Sequence, residues 1–310
     1  VADPDYRREL EVASAAAREA GALLCAHFGR VRHVHYKGLI DPVTEADRAS
    51  EALIASRLLA AFPGDRLLGE EGSGEPHPPT PSPLRRGGAM DDARSFLSFS
   101  PSLHRGGGRG VGSQGSRLWI VDPLDGTVNF LHGYPVFCVS IALRVGDSTE
   151  VGVVYDPLRD ELFAGLRGGG ARLNGAPIAV SDTAGLIRAM LCTGFPYDLE
   201  RRTENLALFG RFVELTQAVR RDGAAALDLV YVACGRYDGY WERDVSAWDV
   251  AAAALITAEA GGIVTGYSGA PHDPFAREVV ASNGLLHAAM LDVIAATGPL
   301  GSRRVPPAVD

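Results

Sequence analysis

The sequence predicts an α+β protein built in layers, and three of its features carry that prediction. Apolar residues recur at helical spacing near both ends, strand-like runs follow one another as a meander in the middle, and Gly, Asp and Pro turns separate those runs. Strands that neighbour each other, with helices grouped around them, favour an α+β sandwich over a doubly wound parallel sheet.

Taken in order, residues 5–28 place Leu10, Ala13, Ala17, Ala20 and Leu24 on one helical face. Thr44 and Glu45 open a second helix to about Ala61, stopped by Pro63 and Gly64. Leu67 and Leu68 lead into GEE at 69–71. Residues 72–116 then change character, with ten Gly, six Pro and eight Ser. More than half of that segment packs poorly, so it reads as a flexible low-complexity insertion with one short helix near Met90 to Phe96. An apolar run at 118–121 ends in Asp122. Strands are predicted at 136–145, 150–155 and 161–166, and helices at 200–217, 224–234 and 246–260, the last ended by Gly261 and Gly262. The whole reads as one domain over 1–310, with sub-regions at about 1–190 and 191–295 and the insertion at 72–116.

Composition narrows the function. A chain of 310 residues, 46% hydrophobic and 22% charged, builds a core without disulfides or a structural metal. A net charge of -8 argues against nucleic acid as a partner, because phosphate backbones need a basic face. It leaves room for a small phosphorylated substrate, since bound cations reverse the sign of an acidic pocket. Cys25, Cys138, Cys192 and Cys234 are far apart, with no CxxC and no Cys/His cluster, so reduced buried thiols are expected and zinc is not. No stretch offers the ~18 apolar residues of a membrane span, and the first ten residues lack an apolar signal core, so a cytoplasmic protein without a membrane partner is expected. His33, His35 and His132 show no ligand spacing, Gly168 to Gly170 read as a turn, and GxxxxGK[ST] is absent, which disfavours a nucleoside-triphosphate hydrolase.

The chemistry concentrates in WIVDPLDGTVNF at 119–130. A strand delivers Asp122, and a Pro/Gly turn brings Asp125 and the Leu124 carbonyl toward the same hard cation. The N–H groups of Gly126 and Thr127 then open a helix suited to a phosphate. Read plainly, the same segment is an Asp-rich turn capping a helix. DPVTEAD at 41–47 is likewise a capping box, GEE a solvated loop, and Asp249 in WDVAAAALITAEAGG a capping acid.

These four segments, in this order, resemble the signature set of the inositol monophosphatases over about residues 5 to 290. The resemblance implies a five-layer αβαβα sandwich, a homodimer, two or three Mg²⁺ ions per site and inhibition by lithium. It implies a Mg-dependent phosphomonoesterase acting on a small polyol or sugar phosphate, first of all myo-inositol-1-phosphate. Glu70, Asp122, Asp125 and Asp249 would be metal ligands, with Leu124 giving its carbonyl. Thr127 and Asp47, with Glu70, would orient and deprotonate water. Asp125, Gly126, Thr127, Ala225 and Glu242 would contact substrate, and Lys37 falls at the family's loop lysine. The oxygen-only ligand set suits Mg²⁺ rather than a soft metal, and hydrolysis by water needs no phosphoenzyme.

Three features depart from the family. The insertion lengthens the spacing from Glu70 to Asp122, Ala253 stands where relatives carry Gly, and Ala224 stands where they carry Ser or Thr. Asn129 and Phe130 after DGT favour the inositol branch, with fructose-1,6-bisphosphatase or histidinol-phosphatase activity as alternatives on the same site. A haloacid-dehalogenase-type phosphatase needs DxDGT, and here the two acids lie one residue further apart. A non-catalytic metal-binding regulatory protein, with the insertion as its arm, is the remaining alternative; the full ligand set argues for the enzyme.

Overall fold

The structure, a computed structural model, describes residues 5–30, 34–37, 41–72, 116–196 and 202–297. The helix expected near Met90 to Phe96, nearly all of the insertion, and His33 lie outside the described residues. Helix α1 (Arg7–His27) runs first; β1 (Val34–Tyr36) and β2 (Pro42–Thr44) pair antiparallel and feed α2 (Glu45–Ala61). Next come β3 (Arg66–Gly69), β4 (Arg117–Asp125), the short α3 (Thr127–Leu131), β5 (Cys138–Val145), β6 (Ser148–Asp156), β7 (Glu161–Leu166), β8 (Gly170–Leu173) and β9 (Ala176–Pro177). These seven strands form one sheet in sequence order, parallel between β3 and β4 and antiparallel elsewhere.

The second half adds β10 (Met190–Thr193), α4 (Arg202–Leu215), β11 (Ala218–Arg220), α5 (Ala225–Ala233), β12 (Gly239–Arg243), α6 (Ala247–Glu259), β13 (Ile263–Thr265), β14 (Glu278–Ser282) and α7 (His287–Thr297). Its five strands are ordered β11-β10-β12-β14-β13. Few of these strands are legible in the sequence. They are three to five residues long, and Leu191 and Cys192 are both fully buried, so no polar-apolar alternation marks β10.

Three apolar clusters stack the layers. Ala13, Ala17 and Leu24 of α1, with Ile54 and Leu58 of α2, pack on Trp119, Val121, Val139, Ile141 and Val153 of the seven-stranded sheet. Ile120, Ala142 and Val154, alternating with those residues, point to the other face and meet α5 and α6. Beyond the five-stranded sheet, Phe212 of α4 stacks on Trp241 of β12 with ring centroids 4.2 Å apart, and Met290 of α7 joins them. The order is therefore helices, sheet, helices, sheet, helices, the αβαβα sandwich expected.

Close packing around Ala253 needs no glycine in α6, because glycines of the sheet supply it. A Cβ on Gly152 would lie 2.5 Å from the Ala252 carbonyl oxygen, and one on Gly165 would lie 3.2 Å from Ile256 Cγ1. All four cysteines are free; Cys138 and Cys192 are buried as expected, whereas Cys234 is half-buried and Cys25, near the end of α1 with its Sγ 3.7 Å from the Pro157 carbonyl, is exposed. Among the described residues no helix is long and apolar enough to cross a membrane.

Candidate active site

Strand register assembles the acidic residues. β3 pairs parallel with β4 so that Gly69 is opposite Val121, which sets Glu70 beside Asp122 as both strands reach their ends. The Glu70 N–H donates to the Val121 carbonyl at 3.2 Å. Gly69 is required there, since a Cβ would stand 2.4 Å from Glu51 Oε2.

β4 does not end at Asp122, as expected, but continues to Asp125 through a bulge. Asp122 faces Ser140 while Asp125 faces Cys138, so three steps on β4 match two on β5. Side chains three apart on a regular strand point to opposite faces, and the extra residue returns both carboxylates to one side. The turn is held by the Leu124 N–H donating to Asp122 Oδ1 at 3.0 Å and by Ser50 Oγ donating to the Pro123 carbonyl at 2.8 Å. Gly126 closes it at φ 94°, a left-handed conformation, and a Cβ there would lie 2.8 Å from the Val136 carbonyl oxygen.

Asp249 arrives from the third side. It is the capping-box acid of α6, accepting from the Ser246 N–H at 2.6 Å. Ser140 Oγ of β5 donates to the Trp248 carbonyl at 3.1 Å, docking that helix end on the bulge. The capping role read from the sequence and the place in the acidic cluster thus coexist in one residue. The same holds for Asp47, which caps α2 with Thr44 through Oδ2 and accepts from the Thr127 hydroxyl through Oδ1 at 3.1 Å. Thr127 Oγ1 also lies 3.0 Å from the Leu124 carbonyl, and its one hydrogen serves both acceptors.

The electrostatics show how much negative charge is gathered. Burial, then the charges of Glu70, Asp125 and Asp249, push Asp122 well above the usual carboxylate range. Burial, with the charge of Asp249, pushes Asp125 up to about 7, although the N–H groups of Ala226 (2.7 Å) and Ala225 (3.2 Å) donate to it. Burial raises Glu70 to about 8 against the pull of Lys37, and Asp249 to about 6. Lys37 Nζ donates to Glu70 Oε1 at 3.0 Å and also to Glu71, so the expected loop lysine stands against the acidic cluster.

Glu242 lies beyond Asp125. Burial and the charge of Asp249 raise it to about 8, while the Tyr240 hydroxyl donates to it. Gly194 leaves its space, because a Cβ there would lie 2.1 Å from the Glu242 carboxylate oxygens. Ala225, expected to offer its N–H to substrate, donates it to Asp125. Sequence reasoning missed Gly194, Ser50, Glu51 and Cys138 (Sγ to Asp125 Oδ2, 3.6 Å). Only Gly69, the first residue of GEE, and the DGT-flanking Asn129, which bridges to the carbonyls of Val136 and Asp222 at 2.8 Å each, carried any local signal.

The inositol monophosphatase family model matches residues 5–297. The chain belongs to the inositol monophosphatase family. An "Inositol-1-monophosphatase" of Synechocystis sp. is 41% identical over 295 residues, 94% of this chain and 91% of the relative. A "Nus factor SuhB" of Pseudomonas aeruginosa is 39% identical over 290 residues, 92% of this chain and 95% of the relative. Among solved structures, the inositol monophosphatase of Anabaena (Nostoc) sp. superposes with a TM-score of 0.75 at 38% identity, covering 96% of this chain and 99% of that one. As a member of this family, the chain is a phosphoric monoester hydrolase, and the five-layer sandwich is that of its relatives.

Proposed function

We propose that the protein is a Mg²⁺-dependent phosphatase of small polyol or sugar monophosphates, with myo-inositol-1-phosphate as the leading substrate. What supports this is the convergence of Glu70, Asp122, Asp125 and Asp249 on one pocket beside the Thr127–Asp47 pair. The donor set fits a hard divalent cation: buried carboxylates that raise one another's pKa values, and the Leu124 carbonyl at the same turn. Glu70, Asp122, Asp125, Asp249 and the Leu124 carbonyl would hold the ions. Bound Mg²⁺ would neutralise phosphate charge and acidify water in the site.

The chain's own groups supply the rest. Thr127 Oγ1, donating to Asp47, keeps a lone pair free to accept a hydrogen bond from water, and burial raises Asp47 toward proton acceptance. Glu70, beside Asp122, is the second acceptor in this reading. As the water oxygen bonds to phosphorus, the ester P–O bond breaks; water's proton passes through the Thr127 hydroxyl to Asp47, and the leaving oxygen takes a proton from solvent and departs as the alcohol. The N–H groups of Gly126 and Thr127 face the phosphate, and Glu242 and the Ala225 N–H orient the hydroxyls of the leaving group. The Ala225 N–H must leave Asp125 to do so. In this reading the chain acts as a homodimer and lithium inhibits it.

Phosphate release from inositol-1-phosphate, fructose-1,6-bisphosphate and histidinol phosphate, each with and without Mg²⁺, tests the reading beside an Asp122→Asn variant. Mg²⁺-dependent release that the variant abolishes is expected. A folded protein that releases phosphate from none of them would overturn it.

A further inference from the structure

We propose that Cys192, Asp222 and Asp228 form a second metal site, for a thiophilic divalent cation such as Zn²⁺, distinct from the carboxylate cluster. The residues come from three elements: Cys192 from β10, Asp222 from the segment between β11 and α5, and Asp228 from the first turn of α5. One ligand atom from each lies within 4.8 Å of the others, and among the described residues no other set of three His, Cys, Asp or Glu side chains is so close. Cys192 and Asp228 are buried at 0% and 1% exposure, and Asp222 is half-buried.

A second observation points to a ligand. Asp228 Oδ1 is shut off from solvent and has no hydrogen-bond partner. A buried acceptor left unmet is destabilising, and the Cys192 thiol serves only one side of this carboxyl group. A cation between the three groups satisfies it. Ligand atoms around tetrahedral zinc stand ~3.5 Å apart, given bonds of ~2.3 Å to sulfur and ~2.0 Å to oxygen. The triad must therefore contract by about an ångström, and the half-buried Asp222 supplies the shift by giving up or carrying along the Tyr237 hydroxyl that donates to its Oδ2. Binding forms the metal–sulfur bond as the thiol proton leaves to solvent, so affinity rises with pH.

The location gives the site a consequence. Asp228 feels the charges of Glu242 and Asp125. The Asp222 carbonyl accepts from Asn129, on the helix that follows Asp125. A cation drawing Asp222 inward therefore moves the segment whose Ala225 and Ala226 N–H groups hold Asp125, and occupancy changes KM for substrate.

Co²⁺ serves as the spectroscopic probe, added to full-length protein already saturated with Mg²⁺. One Co²⁺ per chain with sulfur-to-cobalt charge-transfer absorption is expected, lost in Cys192→Ser and weakened at least tenfold in affinity in Asp222→Asn. Cys138→Ser, near Asp125, keeps the band. No band in the wild type, or a band that survives Cys192→Ser, would overturn the proposal, as would loss in Cys138→Ser alone, which assigns the ion to Asp125. If Cys192→Ser does not fold, Asp222→Asn decides by the same titration. None of these readouts depends on phosphatase activity, so the two proposals fail separately.

Discussion

Replacing Thr127 by Val separates a helix-capping threonine from one that handles a proton. The side chain keeps its shape and loses only the hydroxyl that reaches Asp47 Oδ1 at 3.1 Å and the Leu124 carbonyl at 3.0 Å. Asp47 keeps the Thr44 N–H at 2.9 Å and the Thr44 hydroxyl at 2.5 Å, so its carboxylate is not orphaned. The stability cost is then that of one buried hydrogen bond, about 1–2 kcal/mol. In a chain of this size that is a fall in Tm of roughly 2–6 °C. If Thr127 relays the proton of water to Asp47, kcat of the Val variant falls by about 10²–10⁴, or ~3–5 kcal/mol in the barrier, with KM little changed. Thr127→Ser, which restores the hydroxyl, recovers kcat to within about tenfold. Calorimetry and initial rates on the three proteins settle the matter. A Val variant with kcat within about threefold of wild type and a lowered Tm would show that the hydroxyl only ties α3 to α2.

Asp122→Asn is expected to raise the Tm of protein in EDTA, since it removes a buried like charge, while abolishing both activity and the Tm gain on adding Mg²⁺; a lowered Tm in EDTA would contradict the charge-crowding argument. Glu242 carries a folded pKa raised to about 8 from an ordinary 4.5, so its neutral form is favoured and its stabilisation, full at low pH, is lost as pH rises through about 8. Tm in EDTA should therefore fall as pH rises from about 4.5 to about 8, and Glu242→Gln should make that slope shallower; an unchanged slope would show that Glu242 is not held neutral. Gly194→Ala inserts a Cβ 2.1 Å from the Glu242 oxygens and must displace that carboxylate. Steady-state kinetics should show KM raised several-fold with kcat nearly intact, and an unchanged KM would remove Glu242 from substrate contact.

How much was legible in advance depends on whether the signal was local. The capping box of Thr44 and Asp47, the stop after Ala61 and the tight DPLDGT turn are short-range chemistry, and the structure has them where the residues put them. Helix α1 and strands β5 to β7 followed from periodicity because each buries a definite face. The five-stranded sheet escaped, since short strands covered on both faces have no alternation to read. The candidate site residues could be named from the sequence, but nothing local distinguished Asp47 or Asp249 as helix caps from Asp47 or Asp249 as neighbours of the acidic cluster, because each is both.

The sequence by itself determined the layered class, the candidate ligands and the turn that carries Asp122 and Asp125. Tertiary structure alone decided what they do together. Parallel pairing of β3 with β4 placed Glu70 beside Asp122, and a one-residue bulge put Asp122 and Asp125 on one side. Docking of α6 on β5 brought in Asp249. The packing of α5 beside β10 gathered Cys192, Asp222 and Asp228, where the spacing of the cysteines had predicted no metal ligand. The physical reason is the same in each case: a strand's register and a helix's docking are set by which faces are buried, and residues distant in sequence meet only once those faces have found each other.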